Sequence, residues 1–403
     1  MALETIRAVT REEAGATPEF AFLCKAVAVA LGGPRPAGLA AELARLDPSR
    51  LVRLAQAHRC LPLMAEGLQR APAGAAPAWS ALEPALADRV RRALAVGTRR
   101  SFLLSRELVS LMEVFGRRGI RAVAWKGPVL AQTLYGRLDA RSADDLDIWV
   151  HPGDFARACA ILEEQAYSPL IRLRPEEAAA HRRAGWDRGF RSPAGDIVVE
   201  LCVGMAPRYF SPLPKAGAVL SSVVRVNLDG REVTTLGGVA LLELLCLHGA
   251  KHGWSRLLWL ADVAALSRSL QPAEWEVFRR RARRHGGARM MALGVRLACQ
   301  YFGLPEPVGF AAGARERAWV LPPGLVAQAR RFLDGTEPCK GLAEVRFHLA
   351  ARERWRDRVR YGLLLLFTPG YGDWKAIRLP ARWFWLHWLI RPLRRLGRFL
   401  LKI

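Results

Sequence analysis

Lysine is nearly missing from this chain. It stands at seven positions, 25, 126, 215, 251, 340, 375 and 402, among 61 basic residues, so nearly all the positive charge is arginine. Against that background a lysine marks a place that takes a compact ammonium rather than a planar fork, as a phosphate ligand does. Cysteine is also sparse and unpatterned, with seven residues, an odd number, and no C-x-x-C spacing. That argues against a disulfide framework and a zinc cluster, and it fits a reducing, cytoplasmic compartment. Long apolar runs are absent. Tyr361 to Phe367 and Trp383 to Ile390 fall short of the roughly 20 residues of a spanning helix, and Glu4, Glu12 and Glu13 stand where a signal-type apolar core would be. The expectation is a soluble or peripheral protein without a transmembrane segment.

What is present describes a folded globular chain. Its 403 residues, 51% apolar and 24% charged, suffice for two or three domains and a substantial core. A net charge of +24 favours polyanionic or membrane-surface company. An arginine-rich coding vocabulary explains the same number, and composition does not separate the two.

The chemistry concentrates between Val123 and Val150. Ala122 to Trp125 reads as an apolar strand ending at Lys126-Gly127-Pro128, where glycine allows a sharp bend and proline suits a first helical turn. A helix from Pro128 to about Tyr135 then points its unpaired N–H groups at the strand ends, an arrangement that favours an anion such as a triphosphate. The following strand carries Asp145 and Asp147 on one face and Leu146, Ile148 and Val150 on the other. Residues i and i+2 of a strand project together, roughly 6.5 Å apart. Two carboxylates so placed suit hard divalent cations and the two-metal geometry of phosphoryl or nucleotidyl transfer. A solvated pair of strand-end acids is the plainer alternative.

The pattern of Lys126-Gly127, a helix ending in Leu134-Tyr135-Gly136, and R-S-x-x-D-L-D-I-x-V from Arg141 resembles the nucleotidyltransferases of the DNA polymerase beta superfamily. Within it, the likeness is to the bacterial group labelled "nucleotidyltransferase family protein". It extends to Ala57-His58-Arg59 and Pro62-Leu63 upstream, and to Leu247-His248 through Trp254, Trp259 and Asp262 downstream. It reaches a Thr368-Pro369 segment and a basic tail with Arg391-Pro392. The resemblance implies an α+β polymerase-beta-like core, a small mixed sheet flanked by helices, with N-terminal and C-terminal helical regions. It implies transfer of a nucleoside monophosphate from an NTP to a hydroxyl-type acceptor, a small molecule, peptide or tRNA, with Mg²⁺ or Mn²⁺. Asp145, Asp147 and a third carboxylate would hold the metals, Lys126 and the amides after Gly127 the phosphates, with Arg137 and Arg141 as flanking candidates. Two departures stand out: proline follows Lys126-Gly127 where a Gly-Ser loop is widespread, and the third acid is glutamate where aspartate is usual.

That third acid is assigned to Glu200. Gly189 to Ser192, a turn at Pro193-Ala194-Gly195, and Asp196 to Val203 read as a hairpin, and Glu200 interrupts its apolar second arm. A carboxylate there is costly unless paired or metal-bound; Asp196, nearer the turn, is the fallback. Pro169 marks Tyr167 to Leu173 as an edge strand, and Asp154 is placed to cap the helix from Phe155 to Gln165.

Around this core the chain reads as helical. Leu/Ala stripes between Pro18 and Ala71 break at Gly32-Gly33-Pro34 and Asp47-Pro48-Ser49, Ala71 to Pro84 reads as a linker, and an amphipathic helix runs from about Leu86 to Arg118. The front third looks like a cap without chemistry, with His58 a packed or hydrogen-bonded residue. The expected division is 1–84 helical, 85–235 nucleotidyltransferase core, and 236–403 helical with a basic aromatic tail. His248 and His252 lie at i and i+4, a spacing that can bind zinc but here lacks an evident third ligand. They either face a nucleotide across a cleft together with Lys251 or hydrogen-bond within a bundle. Trp254 and Trp259 read as core, and Asp262 as a partner for a basic neighbour. In the tail, Trp383, Trp385 and Trp388 interleave with Arg391, Arg394, Arg395 and Arg398. That suits peripheral membrane contact, or docking on the protein's own core with arginines snorkelling outward, and docking is favoured. Alternative functions are a toxin-like transferase acting on tRNA or protein, and a catalytically silent basic protein binding nucleic acid or membrane.

Overall fold

A strand with acids on one face and Leu146, Ile148 and Val150 on the other has one stable home, the centre of a sheet whose back is dry. The computed structural model, which describes residues 17–34, 36, 38–70, 84–204, 206–210, 216–307, 310 and 317–401, puts it there. Five strands, β1 (Ala122–Ala124), β2 (Asp145–Val150), β3 (Ser168–Pro169), β4 (Arg188–Arg191) and β5 (Val198–Cys202), assemble in the order β1-β2-β5-β4-β3. The β2/β5 pair is parallel and the other three are antiparallel. Pro169 sits on the outermost strand, where its missing N–H costs no ladder bond. A separate hairpin, β6 (Val223–Leu228) and β7 (Arg231–Leu236), turns at Asp229-Gly230 with both residues at positive φ.

The sheet divides two cores. Behind it, Leu146, Ile148, Val150, Val199 and Leu201 pack with Leu104, Leu108, Leu111 and Phe115 of the long Pro84–Arg117 helix and with Phe155, Ile161 and Leu162 of the Phe155–Glu164 helix. In front, Val123, Trp125, Trp149 and Cys202 join a core built from both ends of the chain. The Pro18–Ala30 helix of the N-terminal region packs on Leu61–Gln69 and on Ala288–Phe302 of the C-terminal region. The two helical regions are therefore separate in sequence and share one interior.

Local signals act largely as their chemistry dictates. Asp47 caps the Pro48–Ala57 helix, accepting from Ser49 N (2.8 Å) and Arg50 N (3.1 Å). Asp154 does not cap the Phe155–Glu164 helix as expected. Its carboxylate instead accepts from Arg121 N (3.2 Å) and Arg121 Nε (2.7 Å), a charged partner outcompeting the helix N–H groups. The expected 71–83 linker lies outside the described residues.

One buried pair locks the front core to the loop feeding β2. Asp262, on the Leu257–Ser267 helix and 0% exposed, accepts from Arg141 Nε and Nη2 at 3.0 Å and from the Tyr135 hydroxyl at 2.9 Å. The basic neighbour expected for Asp262 is thus Arg141. Removing one member strands the other charge in a dry interior, which costs about 3–5 kcal/mol. Asp262→Ala is expected to lower the unfolding free energy measured by denaturant titration by that amount, and Arg141→Met with Asp262→Leu by much less. Similar losses in the two variants would contradict this reading.

Candidate active site

The acids meet through register. In the parallel β2/β5 pair Asp147 stands opposite Glu200 and Asp145 opposite Val198, while Gly189 of β4 faces Glu200 from the other side. Because alternate residues share a face, Asp145, Asp147 and Glu200 project together, and Asp187, two residues before Gly189, joins their row. All four line one cavity of about 720 Å³, open between the sheet and the helical regions. Its polar walls also hold Lys126, Gly127, Arg141, Lys251 and His252.

The bend at its mouth requires glycine. Gly127 has φ 64° and ψ −136°, and a Cβ there would stand 3.3 Å from the Asp145 carbonyl oxygen. It precedes the Pro128–Tyr135 helix, whose first-turn N–H groups have no partner within the helix. Lys126 Nζ lies 3.0 Å from Asp147 Oδ1 and 3.8 Å from the centre of the Trp125 ring.

Burial, with charge repulsion added to it, sets the protonation of the site. Burial, then the Asp147 charge, raises the Asp145 carboxyl, with Lys126 opposing. Burial followed by repulsion from Asp147, Asp145 and Asp187 pushes Glu200 up to about 7. Asp187 is raised chiefly by burial, with Lys251 opposing. On the opposite wall His248 and His252 pack edge to face, 4.7 Å apart, against Trp259. Burial and then the cations Lys126 and Lys251 hold both rings well below the usual imidazole range, hence neutral. The carboxylate set is of the kind hard divalent cations accept. As the side chains stand, among the described residues no three His, Cys, Asp or Glu groups converge on a single ion position, and the Lys126 ammonium occupies Asp147.

A family model described as an uncharacterised nucleotidyltransferase matches residues 44–303. The chain belongs to that nucleotidyltransferase family. The crystal structure of an antigenic nucleotidyltransferase-like protein from Paracoccidioides brasiliensis is similar at 13% identity and TM-score 0.32, over 49% of this chain and 87% of that one. No curated protein matches. The matched span contains all four acids, whereas Phe332, Lys340 and Glu344, which complete the far wall of the nucleotidyltransferase cavity, lie beyond it.

Of the residues singled out in the sequence for phosphate or metal contact in this nucleotidyltransferase, all line the cavity except Arg137, which pairs with Asp139 and Glu66, and the fallback acid Asp196. Arg141 reaches the cavity wall, yet its Nε and Nη2 are taken by Asp262. Asp196 lies outside the cavity lining, its carboxylate accepting from Ser192 Oγ at 3.0 Å. Trp259, read as core, lines the cavity. The front third is not free of site contacts. Arg59 lines the cavity and pairs with Asp144, and His58 lines it while accepting from Leu257 N at 3.2 Å. Asp187 and Arg256 were not singled out in the sequence. Register alone exposes Asp187, once β4 is begun at Arg188 rather than Gly189.

The raised Glu200 carboxyl has a measurable consequence. Between its ordinary 4.5 and about 7 the folded chain holds a proton that the unfolded chain releases. Stability is therefore fully present below pH 4.5 and lost as pH rises to about 7. Urea midpoints across this window should fall for the wild type and lose that slope in Glu200→Gln; parallel profiles would refute the assignment.

Proposed function

We propose that the chain transfers a nucleoside monophosphate from an NTP to a hydroxyl-bearing acceptor with Mg²⁺ or Mn²⁺, the new P–O bond forming at the α-phosphorus as the α–β anhydride bond breaks and pyrophosphate leaves. The observation that carries this reading is the Asp147–Glu200 pairing beside Asp145 within a cavity that also presents Lys126 and Lys251. Asp145 and Asp147 would hold the cations, and Glu200 would bind the one nearer the acceptor. When bound, the metal would stabilise charge on the phosphates and lower the pKa of the attacking hydroxyl. Glu200, ionised once cations offset its neighbours, would take the proton from that hydroxyl. Lys126, the amides beyond Gly127, and Lys251 and His252 across the cleft would position the phosphates. Loading requires Lys126 to leave Asp147, and phosphate oxygens would give its ammonium a new partner.

The Lys126–Asp147 contact also supports a second reading, a catalytically silent basic protein in which lysine takes the cation's place. Incubation with labelled NTPs, metal and cell extract separates the two. Asp147→Ala is expected to cut label transfer about a hundredfold or more. Salt-sensitive binding without transfer in the wild type would favour the silent protein.

A further inference from the structure

The tail helix is inside out. An amphipathic helix docked on its own protein turns apolar residues inward and snorkels its arginines, and docking of that kind is what its composition favours. Here His387, Arg391 and Arg394 face inward. Arg391 pairs with Asp373 and donates to the Leu365 carbonyl at 3.3 Å, and Arg394 Nη1 lies 2.7 Å from Asp373 Oδ1. Trp385, Trp388, Leu389 and Leu393 of the same Ala381–Leu401 segment face outward, Leu393 at 70% exposure.

The neighbouring helix repeats the arrangement. Trp355–Phe367 packs against the tail and buries only Tyr361. Its Trp355, Val359, Leu363 and Leu366 recur at helical spacing along one exposed stripe, Trp355 at 75% exposure. All four exposed tryptophans among the described residues, 355, 383, 385 and 388, belong to these two segments, so the exposure is local rather than general. Exposed cations accompany them: Arg356, Arg360, Arg378, Arg382 and Arg395. Of the two acids between Trp355 and Arg395, Asp373 is held by Arg391 and Arg394, and Asp357 is half-buried.

We propose that this paired-helix face docks in the plane of an anionic lipid bilayer. Tryptophan and aliphatic side chains enter the headgroup boundary while the surrounding arginines meet lipid phosphates, the composition expected of an interfacial helix. No helix among the described residues is long and apolar enough to cross a membrane. At 13 and 15 residues the two helices suit lying flat. Charge complementarity favours lipid over a protein partner, because the two helices and the stretch joining them carry five exposed arginines beside their exposed apolar residues.

Co-sedimentation of the full chain with phosphatidylcholine vesicles, with and without phosphatidylglycerol, tests this. Binding should require phosphatidylglycerol and weaken with salt. The Trp385→Ser/Trp388→Ser/Leu393→Ser variant should lose about tenfold or more in partitioning with unchanged thermal unfolding. Brominated acyl chains should quench wild-type tryptophan fluorescence, a readout that needs no variant. The proposal is overturned by absence of binding at low salt, by binding that survives the triple variant, or by absence of quenching. It is also overturned if light scattering shows a dimer that ignores vesicles and that the variant splits, since the face would then be covered by a second copy.

Discussion

Four carboxylates, Asp145 and Asp147 on β2, Glu200 on β5 and Asp187 just before β4, line one cavity, and their shared burial together with their mutual repulsion is the constraint to which the surrounding structure answers. Like charges this close are tolerable only if some stay protonated or if cations are held nearby. Both responses are present. Glu200 and Asp145 are pushed upward, while Lys126 sits on Asp147 and Lys251 opposes the shift of Asp187. In a chain whose default cation is arginine, lysine at these two positions provides a compact charge.

Holding such a row needs a rigid frame, and the two cores supply it from opposite sides of the sheet. The back core fixes β2 through alternate apolar residues. The front core reaches the site through polar contacts. Asp262 clamps Arg141 and Tyr135, while from the long helix behind the sheet Arg100 donates to the carbonyls of Asp144 and Asp196 at 2.7 Å. The Leu257–Ser267 helix and the long Pro84–Arg117 helix thus both bear on the loop feeding β2.

The same inward use of arginine recurs in the tail. Asp373 draws Arg391 and Arg394 against the body, and the helix that results has no inner room for its own tryptophans. Buried charge pairing here outranks apolar burial in setting the helix's rotation, which leaves an apolar surface in want of company.

Much of the core was legible beforehand because its signals are local. Period-two alternation in β2, the glycine bend at Gly127, the turn at residues 193–195 and the proline on β3 each act through neighbours in sequence. The Asp229-Gly230 hairpin is equally plain, apolar residues alternating on either side of a positive-φ pair, though it falls outside the elements read above. Sequence by itself determined the α+β nucleotidyltransferase character, the acid pair and Glu200 as an anomaly in an apolar run. Only tertiary structure decided that Asp187 shares their row, that Arg141 belongs to Asp262 while Arg137 lies elsewhere, that Arg59 reaches the cavity, and which way the tail faces. Strand register, the burial of ion pairs and the rotation of a docked helix are settled by partners far along the chain. No window of residues contains both members of such a contact.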